Sequence, residues 1–222
     1  MLRRTRVKIC CIASRDEAAM AAAAGADLLG LVGPMPSGPG VIDDRTAREV
    51  AEMAQPWSTP VLLTEFEEPA EIVEHAARIG TRAVQIVRHV PARTLARLAV
   101  AAPGLARIQV IHVENEGALD LIPGYERHVN AFLLDSGRPA HGELGGTGRV
   151  HDWEISAEFV RRTTRPVFLA GGLTPDNVGE AIARVRPVGV DLCGGIRIEG
   201  ALDRDLLASF MSAIRRADEE MP

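Results

Sequence analysis

The sequence predicts an α/β fold of the (β/α)8 class, a TIM barrel, with residues 1–222 forming one domain. Three observations carry this expectation. Short apolar segments alternate with helical patterns eight times within 222 residues. The apolar segments are continuous runs, as expected of strands buried on both faces of a parallel sheet. No antiparallel hairpin signal separates them. An open doubly wound sheet is the runner-up, but eight units favour closure.

The first strand is expected over 6–12. Ser14-Arg15-Asp16-Glu17 then reads as a helix start, and the alanine-rich helix ends near Gly25. A second strand over 27–32 runs into Gly33-Pro34-Met35-Pro36-Ser37-Gly38-Pro39-Gly40, too rich in Gly and Pro for regular structure. The rhythm continues with helix 44–54, strand 60–64, helix 69–79, strand 82–87, helix 91–101 and strand 106–112. A short irregular helix over 117–122 precedes strand 129–134 and a Gly-rich loop over 136–150. Helix 153–162 leads to a strand starting at Val167, and that strand breaks at Gly171-Gly172. Thr174 is placed to cap the next helix, with Pro175 at its first position. Strand 189–193, the turn Gly194-Gly195 and an amphipathic helix over 203–216 complete the pattern.

Composition narrows the function classes. A formal net charge of -5 supplies no basic face for nucleic acid or an anionic membrane. No apolar run approaches the ~20 residues of a membrane span, and the basic start leads into a strand, so a cytoplasmic location is expected. Cys10, Cys11 and Cys193 form neither a disulfide framework nor a zinc-ligand spacing. Each reads as a small core residue or as a reactive thiol.

In a barrel of this class chemistry sits at the C-terminal ends of the strands, and the last loops commonly hold phosphate. Three glycine clusters fall there: Gly145-Gly146-Thr147-Gly148, Gly171-Gly172 and Gly194-Gly195. Outward-facing N–H groups and a hydroxyl on three successive loops favour a phosphorylated ligand over plain turns. The candidate phosphate contacts are Gly146, Thr147, Gly148, Gly171, Gly172, Gly194 and Gly195. Titratable residues also fall at strand ends. Cys10 ends strand one, Asp135 follows strand six and Asp191 lies in strand eight. A thiol and a carboxyl across a pocket form an acid/base pair able to move a carbon-bound proton while protonating an oxygen. The histidines do not form a metal-ligand set with paired aspartates, so no metal is expected.

These residues carry a resemblance. Val7-Lys8-Ile9-Cys10 with Arg15-Asp16-Glu17-Ala18, Phe132-Leu133-Leu134-Asp135-Ser136, Gly145-Gly146-Thr147-Gly148 with Asp152-Trp153, Leu169-Ala170-Gly171-Gly172-Leu173-Thr174-Pro175-Asp176-Asn177 and Gly189-Val190-Asp191 resemble the phosphoribosylanthranilate isomerase family, in order over nearly the whole chain. The resemblance implies a cofactor-free Amadori rearrangement of an aminoaldose phosphate to an aminoketose phosphate in tryptophan biosynthesis. It implies Asp135 as general acid at the ring oxygen and Cys10 as base at C2′. Lys8, Gln85, Arg88, His112 and Asp191 are the candidate substrate contacts. The expected partner is a small phosphorylated sugar, with neither nucleic acid nor membrane, and the protein is expected as monomer or homodimer.

Departures from the family pattern cluster at one end. Gly38-Pro39-Gly40 stands where the family has Ser-Pro-Arg, whose arginine meets the anthranilate carboxylate, and His-Gly after strand four is missing. Arg88 is the candidate replacement cation. Cys11 stands at a family glycine and Cys193 at a serine. These departures keep two alternatives open, an isomerase for another phosphorylated sugar and a phosphometabolite-binding barrel without catalysis.

Overall fold

In the computed structural model, which describes residues 4–35, 39–137 and 150–221, eight parallel strands close into a barrel in sequence order. They are β1 (Arg6–Ile9), β2 (Leu28–Val32), β3 (Thr59–Thr64), β4 (Ala83–Ile86), β5 (Ala106–His112), β6 (Ala131–Asp135), β7 (Val167–Leu169) and β8 (Gly189–Leu192). β1 closes the ring against β8, with Lys8 opposite Asp191. The outer helices are α1 (Arg15–Ala24), α2 (Asp44–Ala54), α3 (Pro69–Ile79), α4 (Ala92–Ala101), α5 (Ile122–Tyr125), α6 (Trp153–Arg162), α7 (Val178–Val185) and α8 (Arg204–Glu220). A two-stranded antiparallel ribbon, β9 (Arg197–Ile198) with β10 (Ala201–Leu202), follows β8.

Local chemistry sets the helix ends. Ser14 accepts from the Glu17 N–H at 3.2 Å to open α1, and Gly25 ends it at φ 97°. Asp43, Asp152 and Asp203 cap α2, α6 and α8 through their carboxylates. The expected start of α7 is one turn early. The Asn177 carboxamide folds back, accepting from the Thr174 N–H at 2.9 Å and donating to the Gly172 carbonyl at 2.9 Å, so Thr174–Asn177 forms a loop-locking turn and the helix begins at Val178. The irregular helix before β6 is also longer than expected. It runs from a 3-10 turn at Glu116–Leu121 through α5 to Glu126–His128.

Side chains on the strands divide by parity, as a parallel barrel requires. One apolar set, including Ile9, Leu29, Leu62, Val84, Phe132 and Leu169, packs between strands and helices. The other, including Val61, Leu63, Val110, Leu133, Phe168 and Ala170, fills the barrel interior. The interior row is where polar exceptions matter. Lys8, Gln85, Asp135 and Asp191 share its parity, so the fold delivers them to the barrel axis. Among the described residues no helix is long and apolar enough to cross a membrane.

Candidate active site

A cavity of about 660 Å³ opens at the C-terminal ends of the strands. Cys10, Gln85, Asp135 and Asp191 line it, as do Gly171-Gly172 after β7 and Gly194-Gly195 after β8. The structure therefore brings the expected thiol, carboxyl and two glycine pairs to one space.

Cys10 lies one residue past β1, where its N–H still donates to the Leu192 carbonyl at 2.8 Å. Gly30 on the neighbouring strand makes room for it. A Cβ at position 30 would stand 2.8 Å from the Cys10 sulfur and 3.0 Å from Lys8 Nζ, so thiol and ammonium occupy the volume that a side chain would take. Lys8 is completely buried and pairs with Asp191 at 2.9 Å. Burial works against its charge, but Asp191 and the nearby thiols outweigh it and hold the ammonium above its ordinary pKa. A buried ammonium and the Cys10 thiol thus lie side by side on the first strand and its end.

Asp135 is the last residue of β6 rather than the first of the loop. Burial pushes its carboxyl up to about 6, assisted by the charge of Asp191 and opposed by the Ser136 N–H, at 2.7 Å, and by Lys8. A carboxyl held near neutrality retains a proton to give, which suits a general acid. Asp191 is likewise raised by burial, with Lys8 opposing. Gln85 is buried at the cavity wall, and its Oε1 has no hydrogen-bond partner among the described residues. An amide oxygen in that state is ready to accept from a ligand.

The glycine loops are tight for physical reasons. Gly171 and Gly172 adopt φ 85° and 62°. A Cβ on Gly195 would lie 2.1 Å from the Leu173 carbonyl, so the eighth loop rests directly on the seventh. Gly146, Thr147 and Gly148 lie outside the described residues.

Three expected contacts do not line the cavity: Lys8 is fully buried against Asp191, and Arg88 and His112 turn elsewhere. Arg88 has the outward parity of β4; its guanidinium pairs with Glu65 at 2.9 Å and does not line the site. His112 reaches the barrel mouth, but its ring bonds the Val87 carbonyl at 3.0 Å and packs against His89, away from the lining.

The departures at Gly40 and Cys11 prove to be one feature. Cys11 holds φ 62°, a glycine-like conformation, and its side chain abuts Gly40. A Cβ on Gly40, itself at φ 73°, would be 2.5 Å from Cys11 Cβ, so no side chain fits there. Sulfur contacts with Cys10 and then Cys193 push the Cys11 thiol up. The Cys193 thiol is lowered by the same contact and by Arg197, against burial. Arg197 is the one cationic side chain in the described lining, and residue-by-residue sequence reading gave no sign of it.

Known proteins are similar to this chain in sequence and fold. The N-(5′-phosphoribosyl)anthranilate isomerase 2 of Methanosarcina mazei is 38% identical over 193 residues, covering 86% of this chain and 85% of its own. The crystal structure of phosphoribosyl anthranilate isomerase from Thermotoga maritima superposes with a TM-score of 0.83 at 30% identity, over 96% of this chain and 99% of that one. A phosphoribosyl anthranilate isomerase in complex with reduced 1-(o-carboxyphenylamino)-1-deoxyribulose 5-phosphate superposes with a TM-score of 0.80 at 28% identity, over 96% and 99% of the two chains. The sequence profile of N-(5′-phosphoribosyl)anthranilate (PRA) isomerase matches residues 7–213. By sequence and by fold, the chain belongs to the phosphoribosylanthranilate isomerase family.

Proposed function

We propose that this protein is an aldose–ketose isomerase that converts N-(5′-phosphoribosyl)anthranilate to the corresponding 1-amino-1-deoxyribulose phosphate, a step of tryptophan biosynthesis. The observation that carries this reading is the convergence of Cys10 and Asp135 on one cavity that Gly171-Gly172 and Gly194-Gly195 also line. Asp135, with its carboxyl near 6, protonates the ring oxygen and opens the ring to an iminium. Cys10, beside the Lys8 cation, removes the C2′ proton, and the resulting enolamine tautomerises to the ketone. The substrate nitrogen is the electron sink, so one acid and one base suffice and no cofactor is called for. Gly171-Gly172 and Gly194-Gly195 hold the phosphate, together with 146–148, and Gln85 meets the sugar. The complexed relative supports a ligand of this shape and charge. The enzyme works in the cytoplasm, as monomer or homodimer.

A second reading is favoured by one observation: position 40 can carry no cation while Cys11 has a side chain. An aglycone without a carboxylate would fit that end. Direct turnover decides between the two. Purified protein is offered N-(5′-phosphoribosyl)anthranilate and the aniline analogue, with Cys10→Ala and Asp135→Asn as controls, alongside complementation of a tryptophan auxotroph lacking this isomerase. No turnover of the anthranilate compound by soluble protein overturns the first reading. Equal activity in the controls removes the assigned roles.

A further inference from the structure

Arg197, the first residue of β9, is almost wholly buried, with 7% of its side chain exposed. Its guanidinium is used as a fork. Nη1 donates to Glu17 Oε1 at 2.7 Å and to the Gly200 carbonyl at 2.9 Å. Nη2 donates to Glu17 Oε2 at 3.0 Å, to the Cys11 carbonyl at 2.6 Å and, more weakly, to the Cys10 carbonyl at 3.4 Å. Glu17, in the first turn of α1, accepts from the Ala13 and Leu202 N–H groups at 2.9 and 3.0 Å. One bidentate ion pair therefore ties the segment after β1 to the segment after β8. Burial opposes the charge on both partners, yet each favours the other's charged form: Glu17 is held below and Arg197 above its ordinary range.

The segment held in this way is under conformational load. Cys10 has left the strand ladder after one bond to Leu192, and the next residue, Cys11, carries a Cβ at φ 62°. A left-handed residue with a side chain favours a different backbone by roughly 1–2 kcal/mol. Relaxation there would rotate the Cys10–Cys11 peptide and with it the thiol. The Ile12 N–H holds the far side through the Gly30 carbonyl at 3.0 Å, and the carbonyls of Cys10 and Cys11 face Arg197.

We propose that Arg197, oriented by Glu17, is a positioning residue for the isomerisation: by gripping the Cys10 and Cys11 carbonyls it fixes the thiol of Cys10 over the substrate carbon. The proposal rests on the reading of Cys10 as the base. It distinguishes Arg197 from a staple that only stabilises the barrel, because a mispositioned thiol lowers turnover while leaving the phosphate loops to bind substrate.

The test uses the full chain. Glu17→Gln combined with Arg197→Met removes the pair without stranding a buried charge, and Arg197→Lys keeps the charge but loses the fork. Steady-state kinetics on N-(5′-phosphoribosyl)anthranilate are measured at a temperature where circular dichroism shows each variant folded. The double variant is expected to lose about 10–100-fold in kcat with KM changed less than about threefold, and Arg197→Lys to lose at least about fivefold in kcat. Folded variants with kcat within about threefold of the parent overturn the proposal, and Arg197→Lys alone decides it if the double variant does not fold. Cys10→Ala separates the two layers of the argument. Turnover surviving that change overturns the base assignment itself, whereas its loss alongside an indifferent Arg197 overturns the positioning role alone.

Discussion

Replacing Asp135 by asparagine is expected to cripple turnover and to make the protein more stable, with a pH dependence that gives the cause away. The carboxyl is pushed up to about 6 in the folded protein, chiefly by burial, against roughly 3.9 for an unfolded aspartate. A carboxylic acid with a raised folded pKa contributes its full stability below the unfolded value, and that contribution is lost as pH rises through the folded one. Ionising Asp135 between about pH 4 and 6 therefore weakens the fold. About two pKa units correspond to ~3 kcal/mol, and partial access to cavity water lowers the expectation to about 1.5–3 kcal/mol. For a domain of this size 1 kcal/mol moves Tm by roughly 2–4 °C, so Asp135→Asn is expected to melt about 3–12 °C above the parent at pH 7 to 8. The gap should close towards pH 4, where both side chains are neutral. Calorimetric scans of both proteins across this range measure it, and titrating groups that do not interact with Asp135 cancel in the difference. A gap independent of pH, or a less stable variant at pH 8, refutes the assignment of a strained carboxylate. Loss of the acid should also lower kcat by about 10²–10⁴.

Three further outcomes follow from the geometry. Gly195→Ala drives a Cβ into the Leu173 carbonyl and is expected to cost more than about 2 kcal/mol in urea unfolding and to raise KM, whereas an unchanged midpoint would deny the contact between the last two loops. Gly40→Ala should cost a similar amount, and in a Cys11→Gly background the penalty should shrink by at least about 1 kcal/mol; additive effects would contradict the packing of Cys11 on Gly40. Arg88→Ala should leave KM within about twofold, since its guanidinium is engaged by Glu65, and a large rise in KM would restore it as a substrate contact.

What the sequence made legible was mainly what a single strand can express. Continuous apolar runs identify strands buried on both faces, and eight of them leave closure as the simplest arrangement. Cys10, Asp135 and the pairs Gly171-Gly172 and Gly194-Gly195 were readable because a parallel barrel puts every strand end at the same mouth. Residues whose role depends on a distant partner were not readable. Glu17 and Arg197 are 180 positions apart, and nothing local in either marks a buried pair. Gly40 looks like a loop glycine until Cys11 is seen against it. Arg88 was misleading because a one-residue change of parity turns a side chain from the axis to Glu65, and the start of α7 was misplaced because the Asn177 carboxamide outcompetes a Thr174 cap.

The pairing of β1 with β8 has a consequence for how activity arises in time. Lys8 and Asp191 are separated by 183 positions and meet only when the first and last strands join. Cys10, Cys11 and Arg197 converge across the same seam. A chain with most of its helices and strands formed, but still an open sheet, has Asp135 at the end of β6 and Cys10 just past β1 with no common cavity between them. Contacts at such long range come late in folding because their loop-closure entropy is the largest. Recovered turnover during refolding is therefore a clock for ring closure itself, running behind the return of secondary structure by the time the seam takes to zip.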